Sequence, residues 1–248
     1  MSNTALPDPI PLELEAVTRS STPVAVLIDS GHPAAAELAS AEAGVFPEAR
    51  ALFDVDGADT LFQFLVIAAH GTVRHIARLS GPRPYAQRDD QIPFFLTDLI
   101  DATPTITAGD VFGYYSARGI DLGGTASVES QVRLGEQLEP VRTADLMYMA
   151  LFSSASAGGA DAVLAHLNTM SSRSLSRVGL VWSRFMDRDD LATPTITADG
   201  TRSFDPEYFP VFIPRAENAE LFASLDPFTP PIVRVTASGG ADTRQRVA

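Results

Sequence analysis

The apolar run LFQFLVIAA (61–69) is followed by His70-Gly71 and then by TVRHIARL (72–79). Two strand-like segments joined by two residues that end in Gly predict a β-hairpin with a tight turn. The first segment is apolar at nearly every position, so it predicts a central strand covered on both faces. The second alternates: Val73, His75 and Ala77 share one face, and Thr72, Arg74, Ile76 and Arg78 share the other. A sheet built around such a hairpin needs helices to cover it, which points to a layered α/β arrangement.

The rest of the chain supplies them. PVAVLI (23–28) has strand character, and Pro33 opens an Ala/Glu-rich helical stretch that Pro47 breaks or kinks. QIPFFLTDLIDA has room for a short helix. ASVESQVRL (126–134) alternates, with Ala126, Val128, Val132 and Leu134 on one face and Glu129, Gln131 and Arg133 on the other. TADLMYMALFSSASA predicts a helix that Gly158-Gly159 stops. A strand (160–167), a short helix ending at Gly179, strands at 180–186 and 207–214, a helix in RAENAELFASL and a strand in PPIVRVTA complete the order. The word ATPTITA occurs at 102–108 and again at 192–198, but the flanks do not match. Both copies therefore read as extended segments at element ends, not as a duplication. The expected organisation is a loose arm over 1–20, one α/β (α+β) domain over 21–235 with a mixed central sheet flanked by helices, and a disordered tail over 236–248.

Composition narrows the chemistry. A hydrophobic content of 45% fits a globular protein. The formal net charge of −13 argues against nucleic-acid binding, because phosphate contacts need an excess of cations. There is no Cys, which excludes a thiol nucleophile and thiolate metal ligands. All 18 basic residues are Arg, so Schiff-base chemistry and a Walker-type phosphate loop are excluded as well. The N-terminal stretch lacks the basic and apolar regions of a signal peptide, and no apolar run approaches the roughly 18 residues of a membrane span. The expectation is a cytoplasmic protein with no membrane partner.

The chemical candidates are mostly acids. DVDGAD (54–59) sets Asp54, Asp56 and Asp59 ahead of the first hairpin strand. A calcium loop, a plain acidic turn and a functional acid cluster all fit. The calcium loop fits worst, because Gly57 stands at position 4 and not at position 6. A functional cluster needs a cation, which Arg74 or Arg78 can supply. The four His residues, His32, His70, His75 and His166, lack metal-ligand spacing, so no metal site is expected. No nucleophile elbow and no G-x-G-x-x-G loop is present. Glu129, beside Arg133, is an isolated base candidate, and Glu139 with Arg142 in LEPVRT is its rival. Either can equally be a solvent-facing residue.

Taken together, DVDGAD, LFQFLVIAAHGTVRHIARLSGPRPY and PFFLTDLID resemble the acyl-homoserine-lactone (autoinducer) synthases and the related N-acyl amino acid synthases, within the GNAT-like acyltransferase superfamily. Asp54, Asp56 and Asp59 match the family's acid spacing, and Arg78 matches its hairpin arginine. SGPRPY resembles the loop that follows, and VESQVRL resembles the strand that carries an E-x-S-R motif, with altered spacing. Where the family's N-terminal helix has an Arg ahead of a Val-Phe pair, this chain has Glu42 ahead of Val45-Phe46. The resemblance covers about 23–186.

The resemblance implies a GNAT-like fold and acyl transfer from a thioester, either acyl-CoA or an acyl carrier protein, to a small amine such as an amino acid or its derivative. No permanently bound cofactor is implied. Glu129 would be the general base, with Arg78 fixing the geometry of the acid cluster. Asp54, Asp56 and Asp59 would hold the acceptor, and Arg133 or Arg142 would meet a phosphate or carboxylate. The acyl chain would lie against the helix bearing Leu146, Met149 and Phe152, residues that equally suit a core. The alternative is a GNAT-like protein that binds a ligand or partner without turnover.

Overall fold

A computed structural model describes residues 10–11, 22–45, 62–81, 99–101, 103–135, 143–196, 202–205, 207–221, 232–235 and 241–242. In chain order the elements are β1 (Ile10–Pro11), β2 (Val24–Asp29), α1 (Pro33–Val45), β3 (Phe62–Ala69), β4 (Thr72–Ser80), α2 (Ala108–Ala117), β5 (Thr125–Arg133), α3 (Thr143–Ala157), β6 (Ala162–Asn168), α4 (Thr169–Val178), β7 (Ser183–Arg184), β8 (Thr193–Ile196), β9 (Arg202–Asp205), β10 (Tyr208–Pro214), β11 (Ile232–Val235) and β12 (Ala241–Asp242).

The expected hairpin is the centre of the sheet. His70 and Gly71 both have positive φ, 52° and 75°, the conformation that matches a two-residue turn to the twist of its strands. Phe64 through Ala69 are all buried, as a strand covered on both faces requires. The main sheet runs β12-β11-β2-β3-β4-β5-β6-β10-β7, and β8 and β9 pair separately. Most neighbours are antiparallel, while β5/β6 and β2/β11 are parallel. This is the mixed, helix-flanked sheet that the sequence predicts.

Each face has its own cover. α1 brings Ala35 and Leu38 against Val26, Phe64, Val66, Ile76 and Val132. α3 brings Met147, Leu151 and Phe152 against Leu27, Leu65, Ala77, Leu79 and Val128 on the opposite face. On the α1 side of β6 and β10, α2 adds Val111, Tyr114 and Tyr115 to Leu164, Phe185 and Phe212. Each buried Val, Leu, Ile or Phe contributes about 1.5–3 kcal/mol, so these clusters dominate the stability.

Two β-bulges correct the expected faces. Between β3 and β4, Ile67 pairs with His75 and Ala68 with Val73, which leaves Arg74 as the extra residue. Val73 therefore joins Ile76 on the α1 side, not Ala77 on the α3 side. Between β4 and β5, Arg78 pairs with Ser130 and Leu79 with Val128, which leaves Glu129 extra. Ala126 and Val128 face α3, whereas Val132 and Leu134 face α1. One inserted residue reverses the phase of everything beyond it.

Other differences are local. α2 was not expected; Thr107 and Asp110 cap it reciprocally, so the first ATPTITA ends in a helix start and the second forms β8. The strand expected over 180–186 is reduced to Ser183–Arg184. Upstream of it, the buried Asn218 side chain bonds both the N–H and the C=O of Val181 (2.7 and 3.0 Å) and takes the place of a ladder. RAENAELFASL begins as a 3-10 turn over Ala216–Asn218. Ile10 and Pro11, within the expected loose arm, pair with Val73 and Thr72 beyond the end of β5. Ala241 and Asp242, within the expected disordered tail, pair with Val235 and Arg234. No helix among the described residues is long and apolar enough to cross a membrane.

Candidate active site

The parallel pair β5/β6 is in register from Thr125↔Ala162 to Val128↔Ala165 and no further. Beyond that point β5 follows β4 to Arg133, while β6 follows β10 to Asn168. The two strands part, and the β5 backbone beyond Val128 has no ladder toward β6. Glu129, the bulge residue against β4, stands at this point. Its Cα has a register partner on neither side. An opening at the carboxyl ends of parallel strands is a place where open α/β sheets bind ligands.

A buried charged group flanks the opening on the α1 side. Ala35, Leu38 and Glu42 lie on one face of α1, so the packing that buries Leu38 also carries Glu42 into the sheet. Glu42 is 1% exposed and Arg78 5%. Arg78 Nε donates to Glu42 Oε1 at 3.1 Å, and Arg78 Nη2 donates to Oε2. The Ser130 hydroxyl also donates to Oε1. The guanidinium lies 4.5 Å from the centroid of the Phe62 ring and 5.1 Å from that of Phe64. Those rings meet edge to face at 5.4 Å, so the cation has apolar walls and an anionic partner.

On the α3 side of the same strands the buried ionisable groups are neutral, and the charge is that of the exposed Arg133. His75 Nε2 and Gln131 Nε2 lie 3.0 Å apart. Burial, then the nearby Arg133 charge, depress the His75 imidazolium pKa to about 3, so the ring is neutral at ordinary pH. Tyr148 of α3 reaches Gln131 and Ser171, and burial raises its phenol pKa. His166 on β6 is likewise depressed to about 3 by burial.

The expected site residues divide accordingly. Glu129 is placed at the opening by its backbone. Arg78 is beside it, with Glu42 as its described carboxylate partner. Arg133 pairs in register with His75 and so lies on the opposite face from Arg78. Asp54, Asp56, Asp59 and Arg142 lie outside the described residues, as does Glu139. Phe152 is a core residue of the α3 cluster, with Leu146 packed against it. Sequence reasoning noticed Glu42 only as a departure from a family pattern and passed over Ser130. The i, i+3, i+7 spacing of Ala35, Leu38 and Glu42 was the available signal. Among the described residues no group of three or more acid, His or Cys side chains could hold a metal.

No known family model matches the chain, and no curated protein matches its sequence. Solved structures do. The chain is similar to the AHL synthase LasI at 12% identity and a TM-score of 0.44, over 79% of this chain and 91% of that one. It is similar to BjaI, a CoA-dependent acyl-homoserine lactone synthase solved with SAM and isopentyl-CoA, at 11% identity and a TM-score of 0.46, over 86% and 94%. Apo TofI aligns at 21% identity and a TM-score of 0.38, over 75% and 87%. The structural neighbours of this chain include acyl-homoserine lactone synthases.

Proposed function

We propose that this protein is an N-acyltransferase that moves an acyl group from a thioester donor, acyl-CoA or an acyl carrier protein, to a small amine. The observation that carries the reading is the coincidence at Glu129 of a β-bulge with the parting of β5 and β6. A thioester lying in that opening meets β5 backbone that no neighbouring strand has claimed. A backbone N–H there is suited to the oxyanion of a tetrahedral intermediate. The chain needs no covalent intermediate, which suits a protein with no Cys.

Glu129 takes the role of general base. It removes a proton from the acceptor ammonium, and the freed nitrogen attacks the thioester carbon. The tetrahedral intermediate collapses, the C–S bond breaks, and the thiol leaves with a proton. Arg78 organises the α1 side of the opening through Glu42 and Ser130. Asp54, Asp56 and Asp59 are assigned to the acceptor end, and Arg133 and Arg142 to anionic groups of the donor.

The test is an unbiased one. Extracts of a host expressing the wild type are compared by LC–MS with extracts of a host expressing Glu129→Gln, shown to be folded by circular dichroism. The expected result is an N-acylated species present with the wild type and lost with the variant. Identical extracts would count against turnover and favour a ligand-binding protein of the same fold.

A further inference from the structure

The point where β5 and β6 part carries two polar side chains with no role in the steps above. The last paired rung is Val128↔Ala165, and the next residue of β6 is His166. β6 is regular along β10, so His166 follows Ala162 and Leu164 onto the α1 side, the opposite face from His75. On β5 the residue of that face just below the opening is Ser127, which pairs with Leu164. Ser127 and His166 are thus diagonal neighbours on one face, about 7–8 Å apart between backbones and near enough for one small acceptor to meet both side chains.

Their chemistry is that of donors. Ser127 is 2% exposed, and its Oγ has no hydrogen-bond partner among the described residues. A hydroxyl buried in that way is costly and rare, so it calls for an acceptor of its own. His166 is half-buried at the lip of the opening, where β5 has turned away to follow β4. Burial keeps its ring neutral, so it retains one N–H and carries no charge at ordinary pH. A neutral imidazole N–H beside a hydroxyl suits an oxygen that gains negative charge, because both can donate and neither has to ionise.

We propose that His166 and Ser127 hold the carbonyl oxygen of the acyl thioester and form a side-chain oxyanion hole beside the free β5 backbone. The inference rests on the acyltransferase reading for its role. The amine nitrogen bonds to the carbonyl carbon, and the C=O electron pair moves onto the oxygen between the two donors. When that pair returns, the C–S bond breaks, and the thiol leaves with the proton that the amine gave up.

The test reads the carbonyl before any turnover. Butanoyl-, octanoyl- and dodecanoyl-CoA, isotope-labelled at the thioester carbonyl, are bound to the protein without an amine. The C=O stretch is read by isotope-edited infrared spectroscopy. The expected result with the wild type is a stretch at lower frequency than in buffer for at least one donor. His166→Val should lose most of that shift, and His166→Gln, which keeps an N–H donor, should recover part of it. An unshifted stretch in the wild type overturns the inference. So does a shift unchanged in a folded His166→Val protein, and so does binding of none of the three donors to the wild type.

Ser127→Ala separates this role from a structural one. It removes a buried hydroxyl without a partner, so the urea midpoint should rise while the infrared shift shrinks. A lower midpoint with the shift intact overturns the assignment of Ser127. Turnover is read separately, as acyl transfer from the bound donor to the amines of a host extract, followed by LC–MS. It should fall about 100-fold or more in His166→Val, with the KM for the donor little changed. If the wild type acylates no amine while the His166-dependent shift is intact, the acyltransferase reading fails and the carbonyl site stands. Acylation by the wild type, with a shift that His166→Val leaves unmoved, does the reverse.

Discussion

Glu42 and Arg78 are 36 residues apart in sequence, yet they form a two-pronged ion pair with almost no exposure to solvent. Burying two charges costs several kcal/mol in desolvation, and their attraction with the Ser130 hydroxyl offsets that cost only while both are present. Removing one partner strands the other. Glu42→Ala should therefore destabilise the protein by about 3–5 kcal/mol, whereas a Glu42→Leu, Arg78→Met double variant should fall near the wild type. Urea unfolding of Glu42→Leu, Arg78→Met and the double variant measures the cycle, with Glu42→Ala beside them. A Glu42→Ala cost below about 1 kcal/mol would be the behaviour of a surface pair and would contradict the burial.

His75 and His166 give the protein a predictable acid sensitivity. Both imidazolium pKa values are depressed to about 3 by burial, while an unfolded His titrates near its ordinary 6.5. Between those limits the unfolded state binds more protons than the folded state, so stability falls as pH drops from 6.5 toward 3. Each His contributes a slope of about 1.4 kcal/mol per pH unit within that window. Above 6.5 neither contributes a slope. Replacing His75 by Leu should remove one proton's worth of that slope, read from urea midpoints at about pH 4 and pH 6. An unchanged slope would show that His75 is not buried neutral.

The parts of the fold legible in the sequence were those fixed by local chemistry. His70-Gly71 turns the chain because both residues accept positive φ, and Gly179 ends α4 in a left-handed cap at φ 92°. The faces of β4 and β5 were not legible. The bulges at Arg74 and Glu129 arise from pairing with a second strand, and nothing in ASVESQVRL announces where its phase reverses. α2 was legible and missed: Thr107 and Asp110 stand at capping-box spacing, but the Thr/Pro word around Thr107 drew attention to extended structure. At the candidate site, Arg78 and Glu129 were singled out from their strands and a family resemblance. The Glu42 partnership depends on how α1 rotates over the sheet, which only packing decides.

Gly81, just past β4, holds the strand against the start of β5. Its φ is +66°, and a Cβ placed there would lie 2.6 Å from the Thr125 carbonyl oxygen. Gly81→Ala combines an unfavourable backbone conformation with a backbone clash that no side-chain rotation relieves. It should cost more than about 1 kcal/mol. Thermal unfolding is the check, with Gly44→Ala as the control. Gly44 sits inside α1 with open space around its Cβ position, where Ala should be neutral or stabilising.

The bulge at Glu129 separates two kinds of change at one position. Glu129→Gln alters a side chain and leaves the residue count of β5 intact, so the register Arg78↔Ser130 and Leu79↔Val128 survives. Deleting Glu129 removes the extra residue. Val128 and Ser130 already face opposite sides of the sheet, so joining them directly gives ordinary strand alternation with the same partners, Leu79↔Val128 and Arg78↔Ser130. Val132 and Leu134 stay in the α1 cluster. The deletion variant should therefore unfold cooperatively in urea by circular dichroism, as Glu129→Gln should. What it loses is the bulge itself, so acyl transfer should be lost in a folded deletion variant. A deletion variant with no cooperative transition would show that the bulge is needed to hold β5 between β4 and β6.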